Sequence, residues 1–241
     1  MFKTFQIFIL LFYTSLIAQS NEPNFFIYQA YKFESSEDES SNMRMFLKQE
    51  TDSIQFELKY ANNASYFYPI YKIDNSQEFK ISLHDVFRKS QGEFFVDYQL
   101  KKTQNMKDLN GRRVIIEYDF DEIEWEMTNK TEIVNGRLCK IAVNRRYETG
   151  LNGPKEIVTV VWIDESYATD IAPFGLVGLH GLIVKVNFNN NYEVILSDIS
   201  SIKNPKLKEL KGNNRISLTE YYAEIERLNK ERRERKGGLV L

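Results

Sequence analysis

The sequence predicts a mainly β fold: one curved antiparallel sheet or partial barrel, with a C-terminal helix. Three observations carry this. Apolar and polar residues alternate with period two in successive runs between residues 54 and 196. The gaps between runs are rich in Asn and Gly, the chemistry of tight turns, and tight turns join antiparallel neighbours. Only the last stretch of the chain changes to helical spacing. Seventeen Phe and fourteen Tyr against five Pro favour a folded, strand-rich chain over a disordered one.

Residues 1–20 read as a signal peptide. Lys3 supplies a short positive segment, Phe5 to Ile17 an apolar core, and Ala18-Gln19-Ser20 a small-x-small cleavage site after Ser20 or Ala18. The core is shorter than the roughly 20 residues of a membrane span, and no later stretch reaches that length. The expected destination is the periplasm or the medium. Residues 21–210 are expected to form the β domain and 211–241 a helix with a charged tail.

Glu34 to Asn42 is acidic and serine-rich and reads as an exposed loop without calcium-loop spacing. Ile54, Phe56, Leu58 and Tyr60 then alternate with polar residues. Tyr66-Phe67-Tyr68-Pro69-Ile70-Tyr71 is densely aromatic. Phe94 to Leu100 and Val114 to Phe120 are strand-like, and Trp125 and Met127 alternate with acids. Asn135-Gly136 joins Thr131–Val134 to Arg137–Val143 and is the sharpest hairpin signal in the chain. Ile157 to Ile163 is nearly continuous apolar sequence, as a strand covered on both faces requires. Val184, Val186 and Phe188 precede a turn at Asn189-Asn190-Asn191, and Tyr192, Val194 and Leu196 close the set. Ser217-Leu218-Thr219-Glu220 fits a capping box, and Leu218, Tyr221, Tyr222, Ile225 and Leu228 form a helical apolar stripe. Beyond Leu228 the stripe ends, so docking should stop there and the charged tail should fray.

Between two of these strands lies Ala172-Pro173-Phe174-Gly175-Leu176-Val177-Gly178-Leu179-His180-Gly181-Leu182-Ile183. Its glycines recur every three residues among side chains too apolar for an open loop. They predict a bent, packed corner that turns apolar groups inward before entering the strand Ile183–Phe188.

This run resembles the GLPGLI family of secreted bacterial proteins, with Gly178-Leu179-His180-Gly181-Leu182-Ile183 in the place of the signature and His180 where the family has proline. Trp162, Ile171-Ala172-Pro173-Phe174, Gly175 and the segment Trp125 to Ala142, with Gly136 and Cys139, share the likeness. It covers roughly residues 25 to 200. The resemblance implies export and a β-rich fold. It implies no activity and no catalytic residues.

Charge and chemistry narrow the function. The net charge of −2 for the whole chain gives no drive toward nucleic acid or anionic membrane. The single cysteine, Cys139, falls in an alternating strand and reads as a buried small residue. With only His84 and His180, a multi-histidine zinc centre is excluded, and the common nucleophile and phosphate-loop motifs are absent. No cofactor or metal is expected. The acids of Glu117 to Glu126 would place Glu117, Asp119 and Asp121 on one strand face and Glu122, Glu124 and Glu126 on the other. A hydrolase built on paired carboxylates is therefore one alternative. The expected function is non-enzymatic binding of an envelope protein partner or an apolar small molecule, at a surface formed by Trp162, Phe174, Gly175, Gly178, Leu179, His180, Gly181 and Leu182. A second alternative is a periplasmic carrier of a lipophilic molecule, with Tyr66, Phe67, Tyr68, Tyr71, Phe94, Phe95, Tyr98, Trp125 and Trp162 lining a cavity inside the curved sheet.

Overall fold

The structure, a computed structural model, describes residues 22–32, 54–70, 91–150, 153–189 and 192–237. The expected signal peptide at 1–20, the acidic segment 34–42, Tyr71, His84, Asn190 and Asn191 lie outside these residues.

Twelve strands build one curved, unclosed sheet. They are β1 (Phe25–Lys32), β2 (Gln55–Ala61), β3 (Ala64–Pro69), β4 (Glu93–Asp97), β5 (Lys102–Leu109), β6 (Arg112–Asp119), β7 (Glu126–Val134), β8 (Arg137–Gly150), β9 (Gly153–Asp164), β10 (Leu182–Phe188), β11 (Tyr192–Ser200) and β12 (Arg215–Ser217). Helix α1 (Leu218–Gly237) follows β12. The spatial order is β12-β6-β5-β4-β3-β2-β1-β11-β10-β9-β8-β7. Two meanders, β1 to β6 and β7 to β11, are thus joined side by side through the antiparallel pairing of β1 with β11. Only β12 runs parallel to its neighbour, β6. The predicted β-rich fold with a C-terminal helix is the fold observed.

Turn chemistry sets the hairpins. Asn135 and Gly136 both take left-handed backbone angles, φ 49° and 76°, matching the twist of the strands they join. Register breaks at Ile27/Tyr28, Met127/Thr131 and Ile183/Lys185 bend the sheet further. The curl brings the two ends of the sheet near each other, and α1 spans the remaining gap. It packs on β6 and β12 at one end and on β8 at the other. Asn229 Nδ2 donates to the Thr149 carbonyl at 3.0 Å on β8. The capping box forms: Ser217 Oγ accepts from the Glu220 N–H at 3.2 Å, and Glu220 Oε2 accepts from the Ser217 N–H at 2.7 Å.

The concave face carries the main core, which includes Phe26, Tyr28, Phe56, Phe67 and Phe94 from the first meander and Val161, Ile163, Val186 and Val194 from the second. The helix stripe Leu218, Tyr221, Ile225 and Leu228 packs with Leu109, Val114 and Ile116 in a second cluster. On the convex face, Leu207 and Leu210, in the connection after β11, cover Tyr66, Met106 and Ile115.

Strands β8, β9 and β11 run longer than predicted, reaching Gly150, starting at Gly153 and reaching Ser200, and three further elements differ for identifiable reasons. β4 stops at Asp97 because its carboxylate accepts the Leu100 N–H at 2.8 Å and closes a turn. β6 ends at Asp119, where residues 120–122 form a 3-10 turn, so the acids after it do not continue on alternating strand faces. The apolar stripe of α1 ends at Leu228 as expected, yet Asn229 still reaches β8 and the helix continues to Gly237, with Arg227 paired to Glu224 and Glu231 on its own surface.

Candidate functional site

The glycine corner is a plug. Residues 173–175 form a 3-10 turn that enters the hollow of the curved sheet. Phe174 holds φ 57°, a conformation that β-carbon sterics disfavour, and its ring sits among four others. Its centroid lies 4.4 Å from Phe67, 5.0 Å from Phe56, 5.1 Å from Phe188 and 6.3 Å from Phe94. Gly175, at φ 63°, leaves no room for a side chain: a Cβ there would stand 2.7 Å from Phe94 Cδ1 and 2.9 Å from Thr103 Cγ2. Tyr118 Oη donates to the Gly175 carbonyl at 3.1 Å and ties the plug to β6.

The corner then returns to the surface. Trp125 Nε1 donates to the Val177 carbonyl at 2.8 Å. Gly178 and His180 are exposed and Leu179 is half-buried. His180 Nδ1 lies 2.8 Å from Asp170 Oδ1, which also accepts the Gly181 N–H at 3.0 Å. Gly181, at φ 109°, passes so close to β9 that a Cβ would stand 2.5 Å from the Asp164 carbonyl oxygen. Leu182 is fully buried at the start of β10.

The eight predicted binding residues therefore do not share one surface. Phe174 and Gly175 are inside the hollow, Gly178, Leu179 and His180 are outside it, and Gly181 and Leu182 are in the connecting wall. Trp162 lies on the other face of the sheet from Phe174. Its neighbour Val161 pairs with Val186, which shares a face with Phe188, and Phe188 touches Phe174. The indole of Trp162 instead donates to Glu132 at 2.7 Å and lies 4.3 Å beneath the Lys185 ammonium.

The acids near 117–126 are spread over β6, the 3-10 turn after it and the start of β7. Glu117 is held by Gln104 at 2.9 Å and by Arg215, while Asp119, Asp121, Glu122, Glu124 and Glu126 are exposed. Among the described residues, no group of three His, Cys, Asp or Glu is placed to hold a metal ion. Cys139 is buried, and burial, with the Asp164 charge behind it, pushes its thiol up to about 11.

Space is left beside the plug. A cavity of about 630 Å3 lies between α1 and the concave face. Its apolar wall is Phe94, Ile116, Phe174, Leu176 and Phe188, and its polar wall includes Lys107 on β5 and Arg146 and Glu148 on β8. The helix supplies Tyr221 and Tyr222. Lys107 Nζ donates to Tyr221 Oη at 3.1 Å and lies 4.8 Å from that ring's centroid. Arg146 Nε donates to Glu148 at 2.9 Å, and its guanidinium lies 5.7 Å from the Tyr222 centroid. Burial, reinforced by the Arg146 charge and opposed by Glu148, brings the Lys107 ammonium down to about 8. Burial also raises the Tyr221 hydroxyl to about 12, so it stays protonated.

The polar wall was not singled out from the sequence. Its only signal is that Asn105 and Lys107, and likewise Asn144, Arg146 and Glu148, occupy alternate positions of single strands. Such a pattern ordinarily marks a solvated face, and nothing local shows that here it turns inward.

No family model matches the chain, and no curated protein matches it. Its fold is similar to parts of two solved structures of PNGF-II. The one in space group C2 is 13% identical, with a TM-score of 0.47 over 83% of this chain and 32% of that one. The one in space group P21 is 14% identical, with a TM-score of 0.47 over 84% of this chain and 33% of that one.

Proposed function

We propose that this chain is an exported, non-enzymatic binding protein, akin to the GLPGLI proteins that its glycine corner resembles, and that it holds a small lipophilic ligand between α1 and the concave face. The observation that supports this reading is the cavity of about 630 Å3. That volume falls within the roughly 300–1,000 Å3 of small-molecule sites, and such sites pair a mainly apolar wall with a few placed polar groups. A carrier accounts for the hollow better than a partner-binding surface does, because the glycine corner spends its apolar residues on filling the interior. Periplasmic or extracellular residence rests on the leader-like segment Lys3 to Ser20.

The test is titration with an uncharged lipophilic dye, N-phenyl-1-naphthylamine. Saturable fluorescence enhancement is expected, and it should be lost in Leu176→Trp, which fills the cavity. Absence of saturable binding to the folded wild-type chain overturns the reading. The export claim is checked separately by sequencing the N-terminus of the chain recovered from the cell envelope, where cleavage after Ser20 or Ala18 is expected.

A further inference from the structure

The cavity lining carries Lys107, Arg145 and Arg146 against Asp121, Glu122, Glu124 and Glu148, but these charges are unevenly partnered. Arg146 and Glu148 form an ion pair at 2.9 Å and largely cancel. Arg145, on the opposite strand face, is turned toward Glu126 and Glu156 at 3.8 and 3.6 Å. Asp121, Glu122 and Glu124 belong to the exposed rim, where water and salt screen them, and Glu122 Oε1 is taken up by the Asp119 N–H. Lys107 alone faces the interior without a carboxylate: its recorded partner is the neutral hydroxyl of Tyr221. A half-buried cation whose hydrogen bond goes to a neutral hydroxyl, with the nearby Glu148 already held by Arg146, is an arrangement that an incoming anion relieves.

Opposite this single charge stands the aromatic floor of Phe94, Phe174 and Phe188. The two walls together ask for a molecule with one anionic end and an apolar body. We propose that the cavity selects a monocarboxylic acid with a long alkyl or aryl body, its carboxylate on Lys107 and its body along Phe94, Phe174 and Phe188. This rests on the cavity-binding reading above and adds the charge and polarity of the ligand. A neutral lipid would fill the same volume but leave Lys107 uncompensated. A dianionic phosphate would bring a second charge, and the other two cations of the cavity lining, Arg145 and Arg146, are already paired with carboxylates.

The experiment compares 11-(dansylamino)undecanoic acid with its uncharged methyl ester on the purified chain, by dansyl fluorescence. At pH 7 the acid should bind at least about tenfold more tightly than the ester. Lys107→Met should abolish that preference while ester binding persists, and Lys107→Arg should retain it. In the wild-type chain, raising the pH from 7 to 9.5 should weaken the acid about tenfold and leave the ester unchanged, because the ammonium discharges. This second measurement holds even where the Met variant folds poorly. Equal affinity for acid and ester, unchanged with pH, overturns the carboxylate proposal and leaves the cavity reading standing. Failure of both probes to bind overturns both.

Discussion

Lys107 on β5 and Tyr221 on α1 stand 114 residues apart in the chain and meet in a 3.1 Å hydrogen bond across the mouth of the curved sheet. The contact places an ammonium where water cannot fully solvate it. Its folded pKa of about 8 lies below the unfolded value of 10.5, so the unfolded chain binds more protons between those limits. Stability contributed by this group is therefore complete above the upper limit and lost as pH falls through the lower one. Lys107→Met should raise stability at pH 7 by roughly 1–3 kcal/mol, after the lost hydrogen bond is counted. The gain should shrink toward zero near pH 10.5. Urea unfolding of both proteins at pH 7 and pH 10 measures it, and an equal gain at both pH values contradicts the assigned cause.

Gly175 and Gly136 separate two costs of replacing glycine. Both have positive φ, but only Gly175 is packed on all sides, whereas a Cβ at Gly136 would meet nothing within 4 Å. Gly136→Ala should cost only the backbone term, about 1–2 kcal/mol. Gly175→Ala adds overpacking against Tyr118, Phe94 and Thr103 and should cost about 3 kcal/mol or more in total. Melting temperatures rank the two, and similar losses would show that the plug yields to an added methyl group.

Phe174 fills the hollow with a ring that touches four others. Phe174→Ala should destabilise by about 3–5 kcal/mol and enlarge the neighbouring cavity. Denaturant unfolding gives the first quantity, and tighter binding of bulkier uncharged dyes in a variant that still folds gives the second. A loss below about 1 kcal/mol would mean that the surrounding rings collapse into the vacated space.

Asp164 reports on the acid side. Burial pushes its carboxyl up, but hydrogen bonds from Ser166 and the Arg137 guanidinium at 2.7 Å outweigh that and hold it below the ordinary carboxylate value. The stabilisation is present above the unfolded pKa of roughly 4 and is lost as pH falls through the lower folded value. Wild-type stability should therefore decline more steeply below pH 4 than that of Asp164→Asn. Parallel acid unfolding curves would assign the decline to other carboxylates.

Eight of the twelve strands, the Asn135-Gly136 hairpin, the capping box at Ser217 and the packed glycine corner were legible because each depends on residues a few positions apart. Alternation, left-handed turn residues and helical spacing are local properties of the chain. The same locality misled at Asp119, where alternating acids ran on past a strand that ends in a 3-10 turn.

The sequence by itself determined most of the strands, though not β1, β3, β5 or β12, the sharpest tight turn and the amphipathic helix that follows the strands. Only the tertiary structure decided that β1 pairs with β11, that Trp162 and Phe174 lie on opposite faces, and that Lys107, Arg146 and Tyr221 surround one cavity. The reason is physical. Each of those outcomes depends on how far a twisted sheet curls before a helix spans its ends, and that is set by contacts between residues distant in the chain.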